Sequence, residues 1–107
     1  MKTIEHAMRR VLPAAVDDGL DVLRGGIETR VPIGKTRTLA AGIATSPAKE
    51  RREGYIEGDV GVTADYVASV EFGDVDQPAR PFIRPTADID GPRAVDAIAK
   101  SIGKRLK

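Results

Sequence analysis

Three closely spaced prolines, Pro78, Pro81 and Pro85, constrain this chain more than any other feature. Each fixes its own φ near −65° and steers the preceding residue away from the helical region, so Gln77 to Pro85 is predicted to be an extended, stiff strap. A segment ordered in advance loses little entropy when it docks. The surrounding stretch, Tyr66 to Pro85, also holds both phenylalanines and one of the two tyrosines. None of its side chains is an obvious nucleophile or metal ligand, so the stretch points to assembly and away from catalysis.

At 107 residues the chain is expected to form one domain, residues 1–107, with a modest core. There is no Trp, and the apolar content is mostly Ala, Val, Ile and Leu, which bury less area per side chain than aromatics do. Partner subunits are therefore expected to supply part of the stability. Cysteine is absent, which excludes disulfides, thiolate chemistry and cysteine-based metal sites. The single histidine, His6, cannot form a multi-histidine metal site, and its spacing from Ile4 and Met8 puts it on the polar side of a helix. Asp17, Asp18 and Asp21 form an acidic patch expected to face solvent. No glycine-rich nucleotide motif occurs. Neither a cofactor nor a catalytic residue is expected. No apolar run reaches the roughly 20 residues of a membrane span, and the start of the chain lacks a signal-peptide core, so an intracellular, membrane-free protein is the expectation.

The formal net charge is only +1, but it is unevenly spread. Met1–Gly54 carries ten Lys/Arg against seven Asp/Glu, Tyr55–Pro92 two against eight, and Arg93–Lys107 five against one. An acidic middle flanked by basic ends suits complementary surfaces between neighbouring copies, or else a set of solvated faces.

Periodicity predicts an α+β fold. Ile4, Met8, Val11, Leu12, Ala15, Val16, Leu20, Leu23 and Ile27 fall mostly at three- and four-residue intervals, the stripe of a long amphipathic helix. That stripe stays in phase across Pro13, which implies one helix kinked there or two stacked end to end. Gly25-Gly26 weakens the last turns and Val31-Pro32 ends them. A loop over Ile33–Arg37 and a strand over Thr38–Thr45 follow. Ser46 to Gly54 is too polar to pack and is expected to be a mobile, projecting hairpin arm. Tyr55–Val62 and Tyr66–Phe72 read as further strands, making a small antiparallel sheet of about three. After the strap, Ala87, Val95, Ile98, Ala99, Ile102 and Leu106 mark a C-terminal helix over Thr86–Lys107, with Asp90 as a candidate N-cap before Gly91-Pro92. Its last turns carry Lys100, Lys104, Arg105 and Lys107, where the helix dipole favours positive charge.

Glu71 sits among apolar residues, with Arg80 and Arg84 the nearest strong cations. It is expected to accept a charge-assisted hydrogen bond from one of them, or to lie on a solvated strand face. Phe72 and Phe82 are read as core anchors, with intersubunit anchoring as the alternative. Pro81 belongs to the same contact surface. Lys49, Arg51 and Arg52 could touch DNA in a channel, but Glu50 and Glu53 dilute their field, so a solvated or partner-contacting arm is the expectation.

Tyr66, Val70-Glu71-Phe72-Gly73 and Pro78-Ala79-Arg80-Pro81-Phe82-Ile83-Arg84-Pro85 together resemble the signature of the HK97 gene-product-ten family of tailed-phage tail-component or tail-completion proteins. The resemblance is strongest in that stretch and weaker over the rest. Two departures stand out. Pro32-Ile33-Gly34-Lys35-Thr36 lacks the family's Asp, with Gly42 at a usual Ser, and Asp74 replaces a usual Thr.

The resemblance implies a non-enzymatic virion protein, made in the host bacterial cytoplasm, that forms a ring at the head–tail junction and contacts three kinds of partner. These are its own copies in a hexameric ring, head-side connector or stopper proteins, and the tail terminator or tail tube protein, with passive contact to DNA. Its interface residues would include Glu71, Phe72, Arg80, Pro81, Phe82 and Arg84 of the strap region and Lys49, Arg51 and Arg52 of the arm. The alternative from the residues themselves is a small nucleic-acid-binding or regulatory module using the basic arm and the basic C-terminal helix.

Overall fold

A computed structural model of the chain describes residues 2–31, 42–52, 55–63, 67–75 and 78–106. The elements run α1 (Lys2–Arg30), β1 (Ile43–Arg52), β2 (Tyr55–Val62), α2 (Val67–Phe72) and α3 (Ile83–Arg105). This is an α+β arrangement in which a two-stranded antiparallel sheet and α3 both pack on α1. The predicted loop over Ile33–Arg37, most of the predicted start of β1, and Tyr66 lie outside the described residues.

The α1 stripe faces inward as its spacing requires: Val11, Ala15, Leu20 and Ile27 are buried. The helix runs unbroken through Pro13 and ends at Arg30, next to Val31-Pro32. A proline here leaves the carbonyl four residues back without its helical partner. The apolar face of the long helix offsets that local cost by packing against other elements.

Three expectations need correction. The third strand is absent among the described residues: Val67–Phe72 is the short helix α2. Its sequence alternates like a strand, but a helical turn brings Val67, Val70 and Glu71 to one side, where Val70 and Glu71 are buried, and turns Phe72 outward. The polar arm is also structured up to Arg52. Its residues continue β1, which pairs with β2 in the register Ile43↔Val62 to Arg52↔Tyr55. The register shifts between Ser46 and Lys49, at Pro47, where a missing N–H would spoil a regular ladder. The Ala48 N–H released by this irregularity donates to Asp17 Oδ1 at 2.7 Å, and Ala48 is buried. Gly58 opposes it closely, since a Cβ there would stand 2.9 Å from Ala48 N and 2.7 Å from Leu20 Cδ1. Arg24 Nη1 adds a 3.0 Å bond to Thr45 Oγ1. The hairpin is thus laid along α1.

The third correction concerns α3, which begins at Ile83 and contains both Gly91 and Pro92. It meets α1 through Thr86, Asp90, Ala94 and Ser101, all buried, and through only part of the apolar stripe read from its sequence, with Ile98 against Gly19. Val95, Ala99 and Leu106 of that stripe are exposed. Glycines explain the choice. A Cβ at Gly19 would lie 2.6 Å from Ile98 Cγ1, and one at Gly26 would fall on Asp90 Oδ2, so the bare glycines of α1 make the room that the Ile98 and Asp90 side chains occupy. Asp90 is therefore an interior ion-pair partner and not an N-cap: its Oδ2 accepts from Arg30 Nη1 at 2.5 Å and its Oδ1 from Arg93 Nη1 at 3.1 Å. Asp18 likewise accepts from Ser101 Oγ at 2.5 Å and from Arg105 Nη2 at 3.3 Å, so two members of the acidic patch bind neighbours and Asp21 alone of the three is exposed. The core proper is Ile27, Ile43, Val70 and Phe82, with Val31, Val60, Val62, Val67 and Ile83 packed around it.

Candidate functional site

The strap is anchored from below by one carboxylate. Glu71 Oε1 accepts the backbone N–H groups of Phe82 and Ile83, each at 2.9 Å, and Oε2 accepts that of Arg84 at 3.0 Å. These are the first amides of α3, which have no carbonyl within the helix to bond. The fourth position is Pro85, which has no N–H to satisfy, so the helix start is fully accounted for. Residues 78–82 are non-helical as the prolines predict, whereas Pro85 lies within the first turn of α3. Upstream, Gly73 takes φ +80°, a left-handed conformation that suits glycine, and Arg80 N–H donates to Val70 O at 2.8 Å.

The donors to Glu71 are backbone amides, not the expected Arg80 or Arg84 guanidinium. Burial works against its charge, but the bonds from Ile83, Phe82 and Arg84, together with the Arg84 charge, outweigh it and hold the carboxyl below the usual glutamate range. Because the group binds protons more weakly when folded, its contribution is complete above the unfolded glutamate value of about 4.3 and fades as pH falls through the lower folded value. Asp90, held low by its Arg30 bond against the effect of burial, and Asp18, held low first by Ser101, act in the same direction. The urea midpoint should therefore stay level from neutrality to roughly pH 5 and drop below about pH 4.5. A Glu71→Gln variant should show a shallower acid drop, because one of the three titrating groups is gone. An unchanged pH profile would contradict the carboxylate's role.

The two phenylalanines separate. Phe82 is wholly buried in the core, while Phe72 is 78% exposed, so the core-anchor reading fails for Phe72. Phe72 borders an apolar groove of about 330 Å³ formed with Val67, Ala68 and Ile83 and edged by Arg84. Arg80 and Pro81 are exposed beside it, and the Arg84 side chain points largely to solvent, within 3.8 Å of Asp88. Val75, which sequence reading passed over, is fully exposed on the same turn. Strap residues Glu71, Phe72, Arg80, Pro81, Phe82 and Arg84 thus form one contiguous region around the start of α3.

Lys49, Arg51 and Arg52 do not join it. They occupy the far end of the hairpin, exposed, with Glu50 3.8 Å from Arg9 of α1. Arg51 pairs with Glu57 at 3.0 Å, and Arg52 lies over the Tyr55 ring at 4.9 Å. The hairpin's other end, at Ile43 and Val62, packs with Phe82 and Val70, about 30 Å away along an extended strand. His6 is exposed, as its spacing implies. Among the described residues no group of acidic, His or Cys side chains could hold a metal, and no helix is long and apolar enough to cross a membrane.

A family model described as "Bacteriophage HK97-gp10, putative tail-component" matches residues 1–73. The matched span takes in α1, the hairpin and α2 and stops at Gly73, short of the strap. No curated protein and no solved structure matches the chain.

Proposed function

We propose, from the premise that this chain belongs to the HK97-gp10-like family of bacteriophage tail components, that it is a structural virion protein closing into a ring at the head–tail junction. In this reading it works through contacts with its own copies, the head-side connector and the tail tube, and has no active site. The observation that carries the reading is the exposed Phe72 at the end of α2, beside a strap whose backbone Glu71 holds in place. An aromatic side chain kept rigidly in water, with arginines beside it, has the character of an interface anchor. The strap, the α3 start and the groove would meet other subunits, while Lys49, Arg51 and Arg52 at the hairpin end would meet a neighbouring layer or the DNA. A six-fold ring is the expected symmetry.

The nucleic-acid reading has less support. Arg51, Arg52 and Arg105 are already engaged by Glu57, Tyr55 and Asp18, which lowers the field they offer to phosphates. Reconstruction of purified phage particles by electron microscopy tests the proposal. Density for this chain is expected as a closed ring between head connector and tail tube. A chain missing from purified particles, or found elsewhere in them, would refute the reading.

A further inference from the structure

Asp90-Gly91-Pro92 has the composition of a helix start, an Asp that can cap and a Pro suited to a first turn, yet it lies in the middle of α3. Gly and Pro are the two poorest helix formers, and here they are adjacent. Pro92 offers no N–H to the Asp88 carbonyl four residues back, and its ring crowds that carbonyl. Gly91 is not required by space, since a Cβ there would meet nothing within 4 Å, and its φ is not positive. Packing therefore does not account for the glycine.

The two halves of α3 are held differently. Before Gly91, Glu71 bonds the first amides, Phe82 sits in the core just ahead of the helix, and Thr86 Oγ1 donates to the Phe82 carbonyl at 2.7 Å. After Pro92, the buried positions are Ala94 and Ser101, Ile98 lies against Gly19, and Asp18 accepts from Ser101 and Arg105. No residue of this distal half belongs to the core of Ile27, Ile43, Val70 and Phe82. Asp90 stands at the junction and accepts from Arg30 of α1, whose Nη1 also reaches Thr86 Oγ1 at 3.3 Å. While so engaged, its carboxylate cannot cap the helical segment that follows.

The geometry points to a hinge at Gly91-Pro92. The distal half of α3, Pro92–Arg105, swings off α1 as an intact helix, while Asp90 exchanges its Arg30 bond for the Arg93 backbone N–H and becomes the N-cap. The carboxylate is bonded in both conformers, so neither leaves it buried without a partner. Docked and released conformers present different surfaces, and a partner that binds one of them shifts the balance toward it. The device belongs to the single chain and does not depend on ring formation.

The absence of cysteine allows spin labels at two exposed positions, through Arg10→Cys on α1 and Lys104→Cys near the end of α3. Asp90→Asn removes the charge that Arg30 binds but keeps a side chain that caps as well as Asp does. Double electron–electron resonance on this labelled variant should show a second, longer and well-defined distance, with a population about tenfold above that in the native sequence. Adding Gly91→Ala and Pro92→Ala should abolish it, because the continuous helix is then favoured. Asp90→Ala, which cannot cap, should give less of it than Asp90→Asn. If Asp90→Asn proves unfolded, Arg30→Gln breaks the same tie and leaves Asp90 free to cap. A single docked distance in the folded variant would overturn the hinge, as would a broad distribution accompanied by lost helical circular dichroism, the mark of fraying. These measurements concern the isolated chain, so the phage reading stands or falls separately on the purified particles.

Discussion

Glu71→Ala should lower the unfolding free energy by about 3 kcal/mol, measured by urea titration at neutral pH. The carboxylate serves three backbone amides at the start of α3, and one of them, on Phe82, is buried. Losing a helix cap costs about 0.5–2 kcal/mol, and each donor left unsatisfied away from water adds about 1–3. Water can reach the half-buried Ile83 and exposed Arg84 amides, which keeps the total near the middle of that range. Glu71→Gln should recover roughly half of the loss, because its amide oxygen can still accept from the Oε1 position while the charge is gone. Hydrogen exchange should show faster opening confined to the strap and the first turns of α3. Uniform exchange across all elements would mean that Glu71 contributes only general stability.

Replacing Phe82 with Ala should cost about 3–5 kcal/mol, which for a chain of this size amounts to a largely unfolded population. Phe82 is fully buried and packs with Ile27, Ile43 and Val70, one residue from each of α1, β1 and α2. Few other large side chains could fill the hole. Phe72→Ala is the matched control, with an expected change within about 0.5 kcal/mol, because its ring lies mostly in water. Thermal melts of the two variants side by side separate a core role from a surface role. Equal destabilisation would contradict the different environments of the two rings.

The divergence of these two residues shows how far local pattern could be read. Val67-Ala68-Ser69-Val70-Glu71-Phe72 has the alternation and the β-branched content of a strand, and intrinsic preference alone favours that reading. As a helix, the same six residues place Val70 in the core and Glu71 under the strap amides at once. A strand would send adjacent residues to opposite faces, so the two contacts could not form together. The outcome depended on residues more than ten positions away, which no local window contains.

The C-terminal helix illustrates a second limit. Its existence was evident from composition and spacing, but its inward face was not. Large apolar residues normally mark the buried side of a helix, yet here the buried positions are Thr86, Asp90, Ala94 and Ser101, with Gly26 of α1 leaving room for the Asp90 carboxylate. Arg30, at the end of α1, neutralises the buried Asp90 across sixty residues of chain. The polar hairpin was misjudged for a related reason: Asp17 captures the Ala48 amide and lays on α1 a segment whose composition argues for solvent.

Sequence alone determined the long first helix and where it stops, the α+β class, the non-helical run over residues 78–82, and the absence of cysteine chemistry. All of these follow from covalent limits on φ, from short-range periodicity, or from which side chains are present. Tertiary structure alone decided that Glu71 caps a helix, that Phe82 is inside and Phe72 outside, and that α3 leaves Val95, Ala99 and Leu106 of its apolar stripe in water. Those outcomes are set by the meeting of surfaces distant in sequence, where close backbone contact and the need to satisfy buried polar groups outweigh local preference.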